Sequence, residues 1–188
     1  MPHAVIFDLD GTLADTLDDL AFSVNTILAR HGFPIHEKNL YRIMVGNGMR
    51  TLVQRVLPEG IATEALVEAL RSEASGFYAL HALDRTRAYP GISELLDALD
   101  AGNIPYAVLS NKPDALARAV VKGVFPTRAF FAVRGESIAF PPKPEPQSAL
   151  DLAKKMGILP ADIFYVGDSN VDVFTARNAG MKSAGAVW

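Results

Sequence analysis

The chain contains no cysteine. Disulfide frameworks and thiolate zinc sites are therefore excluded, and cysteine usage says nothing about the redox compartment. Charge of one sign is also missing. Eighteen basic residues stand against 21 acidic ones, for a net charge of −3, too little field to attract nucleic acid or a membrane surface. No basic stripe or aromatic platform for single-stranded nucleic acid is present, no apolar run reaches membrane-spanning length, and no charged-then-apolar leader precedes the first apolar run. There is no internal repeat or low-complexity tract. What remains is ordinary for a globular protein: 49% hydrophobic and 21% charged residues in a chain of 188, enough to bury a substantial core in one large or two small domains. The expectation is a cytoplasmic protein with no nucleic-acid or membrane partner, monomeric or homodimeric.

The chemistry begins at Ala4-Val5-Ile6-Phe7-Asp8-Leu9-Asp10-Gly11-Thr12-Leu13. The run Ala4 to Phe7 has the length and β-branched content of a buried strand. Residues two apart on an extended backbone share a face, so Asp8 and Asp10 leave the strand end together. Two carboxylates at that spacing repel unless a proton or a cation lies between them. Paired hard oxygen ligands suit Mg²⁺, which commonly arrives with phosphate. The plainer alternative is a strand running into an acidic, glycine-containing turn.

Helical periodicity follows, with Leu17, Leu20, Ala21, Val24, Ile27 and Leu28 on one face and Asp15 or Thr16 as the cap; Gly32 and Pro34 end it. Further helical segments cover about 37–44, 49–57 and 63–83, with a turn at Val45-Gly46-Asn47-Gly48 and a break at Pro58-Glu59-Gly60. This block lacks period-2 alternation and reads as a small all-helical unit. From Tyr89-Pro90-Gly91 onward, helices over 92–101, 114–122, 147–156 and up to Asn178 alternate with strands over 104–109, 129–133, 163–166 and 182–187. A rigid proline-rich loop spans Phe140 to Pro146. Such alternation predicts an α/β fold with a Rossmann-like open parallel sheet, its faces covered by helices. The expected division is a core of residues 1–14 and 86–188, with a helical insertion over 15–85.

In open parallel sheets ligands bind beyond the carboxyl ends of the strands. Four segments deliver reactive residues there: Asp8 and Asp10; Ser110 and Asn111; Lys143; and Asp168 with Asp172 one helical turn later. Each has a structural alternative. Ser110 and Asn111 could cap the next helix, Lys143 could be a solvated lysine, and Asp168 and Asp172 could cap the last core helix. Their joint arrival at one sheet edge favours a site.

Asp8-Leu9-Asp10-Gly11-Thr12, Ser110-Asn111-Lys112, Lys143-Pro144 and Gly167-Asp168-Ser169-Asn170-Val171-Asp172 resemble, in order, the four motifs of the haloacid dehalogenase-like (HAD) superfamily. The resemblance covers essentially the whole chain, including a helical cap between the first two motifs. Val45-Gly46-Asn47-Gly48-Met49-Arg50 and Ser110-Asn111-Lys112-Pro113 are most similar to phosphoglycolate phosphatases and their near relatives. One difference lies at Gly185-Ala186-Val187-Trp188, where the superfamily usually continues into a further loop and helix.

The resemblance implies a Mg²⁺-dependent phosphatase acting on a small phosphorylated metabolite. Asp8 would be the nucleophile, forming an aspartyl-phosphate. Asp10 would protonate the leaving alkoxide and then deprotonate the attacking water. Asp8, the main-chain carbonyl of Asp10 and Asp168 would bind Mg²⁺, with Asp172 orienting metal-bound water. Lys143 would neutralise phosphate and Asp8, while Ser110 and the main-chain N–H groups of Leu9 and Asn111 would hold phosphoryl oxygens. Superfamily dehalogenases lack an acid at the place of Asp10, and ion-pumping ATPases carry threonine there, so its presence points to turnover of phosphate. Arg50 and Gly48 in the cap could meet the leaving group, a carboxylate in phosphoglycolate; alternatively Arg50 faces solvent, and Thr16 and Asp19 share that ambiguity. A nucleotidase, sugar phosphatase, pyrophosphatase or β-phosphoglucomutase-like phosphomutase stays open, as does a non-catalytic phosphate-binding or regulatory module.

Overall fold

The computed structural model describes residues 2–139 and 141–188. Phe140, at the start of the expected proline-rich loop, lies outside the described residues. The chain divides into two units, one of Met1–Asp15 with Ala88–Trp188 and one of Thr16–Arg87. Its elements run β1 (Ala4–Phe7), β2 (Ala14–Asp15), α1 (Leu17–Arg30), α2 (Lys38–Met44), α3 (Gly48–Val56), α4 (Glu64–His81), β3 (Arg87–Ala88), α5 (Ile92–Ala101), β4 (Tyr106–Pro113), α6 (Asp114–Val124), β5 (Ala132–Glu136), α7 (Gln147–Met156), β6 (Ile163–Gly167), α8 (Asn170–Asn178) and β7 (Lys182–Gly185).

The first unit is built on a five-stranded sheet in the order β5-β4-β1-β6-β7, parallel throughout. The chain starts at β1 in the centre, builds outward through β4 and β5, then crosses to β6 and β7 on the other side. β1 is therefore the switch point, where the crevice outside the strand ends forms in folds of this class. All four β1 residues are buried because both sheet faces are covered. Ala4, Ile6, Ala107, Leu109, Ile163 and Tyr165 form one face and pack with Ala149, Leu152 and Ala153 of α7 and Ala176 of α8. The alternate residues Val5, Phe7, Tyr106 and Val108 are buried as well.

Two strands are displaced from their expected positions, and β7 ends at Gly185, two residues short of the expected 187. Periodicity places one over 104–109 and closes it at Ser110, whereas β4 runs from Tyr106 to Pro113 and carries Ser110, Asn111 and Lys112 within it. Likewise the strand expected over 129–133 is β5 at Ala132–Glu136. Pairing between the two explains both shifts. Leu109 lies opposite Arg134 and Pro113 opposite Glu136, so four steps of β4 run against two of β5 and β4 bulges between them. Gly135 permits the bulge: a Cβ there would stand 2.4 Å from the Lys112 carbonyl oxygen and 2.5 Å from the Asp114 Cα.

In the second unit, four helices enclose one apolar core of Ala21, Val24, Ile27, Leu28, Tyr41, Leu52, Val53, Val56, Val67 and Leu70, among others. Thr16 occupies the N-cap of α1 but makes no side-chain cap bond. Thr63 does cap α4, accepting from the Leu66 N–H at 3.4 Å. Asn25 fixes the α1–α2 connection, exchanging bonds with the His36 main chain at 2.8 and 3.0 Å and accepting from the Tyr41 hydroxyl at 2.7 Å. Fully buried Asp19 accepts from the Arg85 N–H, the Thr86 N–H and the Thr86 hydroxyl at 2.8–3.0 Å. Its carboxylate thus secures the segment that follows α4, which is a structural role. Among the described residues, no helix is long and apolar enough to cross a membrane.

Candidate active site

The site residues of the first unit come from the carboxyl ends of β1, β4 and β6 and from the Lys143 loop. Asp8 extends the β1–β6 pairing by one residue, its N–H donating to the Val166 carbonyl at 2.8 Å. The chain then turns tightly, with the Leu9 carbonyl accepting from the N–H groups of Thr12, Leu13 and Ala14 at 3.0–3.3 Å. Gly11, at φ +84°, makes this turn possible and leaves room for Asp168, since a Cβ would lie 2.3 Å from an Asp168 carboxylate oxygen. The Thr12 hydroxyl donates to Asp168 Oδ1 at 3.3 Å, joining the first and last segments of the site.

A buried lysine lies at the centre. Lys143 Nζ is 2.7 Å from Asp8 Oδ1 and 2.7 Å from Asp172 Oδ1, and it sits 5.9 Å from the Tyr165 ring centroid. The solvated alternative for Lys143 is thereby overturned. Asn111 anchors its loop: the carboxamide donates to the Lys143 carbonyl at 3.2 Å and accepts from the Lys143 N–H at 2.8 Å. The Ser110 hydroxyl accepts from the Lys112 N–H at 3.2 Å inside the β4 bulge. The N-cap position of α6 is Pro113, not Ser110 or Asn111.

Asp172 serves two partners. One oxygen meets Lys143, and the other accepts from the Ser169 hydroxyl at 2.7 Å and the Ser169 N–H at 3.2 Å, a capping box at the start of α8. The expected cap is real for Asp172, while Ser169 rather than Asp168 takes the N-cap position. Gly167 allows this approach, because a Cβ there would stand 2.2 Å from the Asp172 side chain.

Oxygen atoms of Asp8, Asp168 and Asp172 lie within 4.8 Å of one another. Burial pushes the Asp8 carboxyl up to about 8, with Asp172 and Asp10 adding to the rise and Lys143 opposing it. Asp168 is the accessible member, and partial desolvation, then the charge of Asp172, raises its pKa too. Burial works against the Lys143 ammonium, but Asp8, Tyr165 and Asp172 offset that and hold its pKa well above the ordinary lysine value. Four carboxylates, those of Asp8, Asp10, Asp168 and Asp172, face two ammonium groups, Lys143 and Lys112. Hard oxygen donors with an excess of negative charge fit a divalent cation such as Mg²⁺.

Lys112 was not among the expected site residues. The bulge brings its Nζ to 2.9 Å from Asp10 Oδ1, and the lysine side chain is buried. The local signal was a lysine directly after Ser110-Asn111, but its reach depends on pairing between β4 and β5. In the second unit, Arg50 lies on α3 and is ion-paired with Glu64 at the surface, and Gly48 opens that helix at φ +80°.

The profile of the haloacid dehalogenase-like hydrolases matches residues 5–186. The chain is 34% identical to phosphoglycolate phosphatase 1 of Pseudomonas aeruginosa, over 100% of its own length and 70% of that protein's. It is 32% identical to the N-acetylmuramic acid 6-phosphate phosphatase of the same organism, covering 96% of this chain and 80% of that protein. A solved structure of a predicted phosphoglycolate phosphatase from Haemophilus somnus superposes with a TM-score of 0.89 at 32% identity, covering 97% of this chain and 84% of the other. With the four motifs gathered at one sheet edge, these likenesses make the chain a member of the haloacid dehalogenase-like hydrolase family.

Proposed function

We propose that this protein is a Mg²⁺-dependent phosphatase that hydrolyses a small phosphorylated metabolite through an aspartyl-phosphate on Asp8. The observation that carries this reading is the buried Lys143 ammonium, 2.7 Å from both Asp8 and Asp172, within the acidic cluster completed by Asp168. An Asp8 oxygen attacks phosphorus as the bond to the leaving oxygen breaks, and the carboxyl of Asp10 gives its proton to that oxygen. Water then attacks the phosphoryl group, its proton passes to Asp10, and the Asp8–phosphorus bond breaks. Lys143 neutralises the approaching anions, while Ser110 and the N–H groups of Leu9 and Asn111 hold phosphoryl oxygens.

Asp8, Asp168 and the Asp10 carbonyl would hold Mg²⁺ in this reading, and Asp172, which orients Lys143, would also orient the ion's water. When bound, Mg²⁺ would offset the charges of Asp172 and Asp10 that add to the rise caused by burial of Asp8, and would let the phosphate approach it. Phosphoglycolate is the leading substrate candidate, supported by the names of the relatives at 31–34% identity. A sugar phosphate is the second reading, supported by the relative named for N-acetylmuramic acid 6-phosphate at 32%. Arg50 and Gly48 are the cap candidates for leaving-group recognition; Arg50→Ala is expected to raise KM for phosphoglycolate by less than about tenfold.

The test is phosphate release from a panel including both compounds, in Mg²⁺ and in EDTA. Metal-dependent release is expected, and the preferred compound identifies the substrate class. Tight phosphate binding by folded protein without release would favour the non-catalytic module instead.

A further inference from the structure

Lys143 and Lys112 divide the two acids of the first motif between them. Lys143 contacts Asp8 at 2.7 Å, and Lys112 contacts Asp10 at 2.9 Å. The backbone around the β4 bulge places the second contact. β4 accommodates two more residues than its partner over the bulge, and Gly135 is the residue that lets β5 pass the Lys112 carbonyl. The Ser110 hydroxyl holds the Lys112 N–H within that bulge at 3.2 Å. On the far side, Asp114 ties the start of α6 to the Gly135 N–H at 2.9 Å. The buried lysine side chain therefore leaves a fixed backbone and reaches the Asp10 carboxylate.

We propose that Lys112 is a positioning residue for Asp10, fixing the orientation in which that carboxyl meets the leaving oxygen. The inference rests on the phosphatase reading above, in which Asp10 is the acid of the first step. Contact with the ammonium at Oδ1 restrains the side chain of Asp10, and with it the direction in which the acid presents its proton. An aspartate turning freely about its side-chain bonds would present that proton in the productive direction only part of the time. Acting through Asp10, Lys112 matters most where the leaving group needs a proton to depart. Alkoxides need one, whereas acetate leaves readily as the anion.

The experiment compares kcat/KM, which reports the chemistry up to the first irreversible step, for two substrates. One is an alkyl ester, the better of 2-phosphoglycolate and N-acetylmuramic acid 6-phosphate. The other is acetyl phosphate. The enzymes are the wild type, Lys112→Met and Lys112→Arg, all in Mg²⁺. In Lys112→Met the ratio of alkyl to acetyl kcat/KM is expected to fall by at least about tenfold, a modest part of what a general acid commonly contributes. Lys112→Arg, which keeps a cation at that position, is expected to recover part of the ratio. Both substrates sample the same folded molecules, so partial unfolding cannot change the ratio. An unaltered ratio in Lys112→Met overturns the positioning role and leaves the phosphatase reading standing. Release from none of the three substrates by folded wild type would instead overturn that reading, and this inference with it.

Discussion

Asp8 and Asp19 are both buried aspartates, one in each unit, and they are held in opposite ways. Asp19 is surrounded by fixed donors, two main-chain N–H groups and one hydroxyl at 2.8–3.0 Å, with the Arg85 guanidinium farther off at 3.9 Å. Those donors cannot leave without unfolding the segment that carries them, so the carboxylate acts as a structural acceptor. Asp8 faces a lysine side chain shared with Asp172 and lies close to Asp168. Its partners are charged groups whose balance a ligand can alter. A buried acid supplied with fixed donors holds a fold together, while one set among other acids and a shared ammonium is a candidate for binding and reaction.

The sharpest break in that comparison is to remove each charge in turn. Asp8→Asn is expected to lower kcat by at least about a thousandfold, measured as phosphate release, because no nucleophile remains. It should do so without loss of the thermal midpoint. Asp19→Ala should do the reverse at the level of stability, leaving the two buried donors of Thr86 and the half-buried Arg85 N–H without their acceptor at a cost of about 3 kcal/mol in urea unfolding. Equal losses of stability in the two variants would erase the distinction.

Gly11→Ala probes the reactive cluster without touching a charge. The new Cβ would push on Asp168 and strain a turn at φ +84°. Apparent Mg²⁺ affinity, read from the metal dependence of activity, is expected to weaken about tenfold. An unchanged affinity would remove Asp168 from the ligand set.

The smallest effect is a pH dependence. A folded-state pKa of about 8 for Asp8, against an ordinary value of 3.8, means that the folded protein holds this proton more tightly than the unfolded chain. The associated stability is complete below pH 3.8 and is lost as pH rises through about 8. Asp168 shifts in the same direction. In EDTA the thermal midpoint should therefore decline between pH 5 and pH 8 more in the wild type than in Asp8→Asn. Added Mg²⁺ should raise it more at pH 8 than at pH 6. A metal-induced shift independent of pH would contradict the charge balance described for the cluster.

The acids of the candidate site were legible because Asp8, Asp10 and Asp168 stand just beyond apolar runs and Asp172 follows Asp168 by one helical turn. α5 and α7 begin and end where periodicity places them, at Ile92–Ala101 and Gln147–Met156, since an apolar stripe and a terminal glycine are local signals. The β4 bulge was not legible in this way. Ser110-Asn111-Lys112-Pro113 reads locally as a strand ending, and only the pairing with β5 past Gly135 reveals a strand that continues. For the same reason the contact between Lys112 and Asp10, and the hold of Asn111 on the Lys143 loop, could not be read from spacing. Gly11 and Gly167 look like turn residues in sequence, yet their lack of a side chain matters because Asp168 and Asp172 occupy the space.

The most direct test of the account is to trap the phosphoryl group on Asp8. Asp10→Asn removes the group that deprotonates the attacking water, and acetyl phosphate needs no proton to release its leaving group. Their combination in Mg²⁺ should let the phosphoenzyme accumulate. Peptide mass spectrometry after acid quench is expected to find one phosphoryl group on the peptide containing Asp8, absent when Asp8→Asn is added. Phosphoryl transfer to another residue, or phosphate release with no covalent adduct at any time, would contradict Asp8 as the nucleophile.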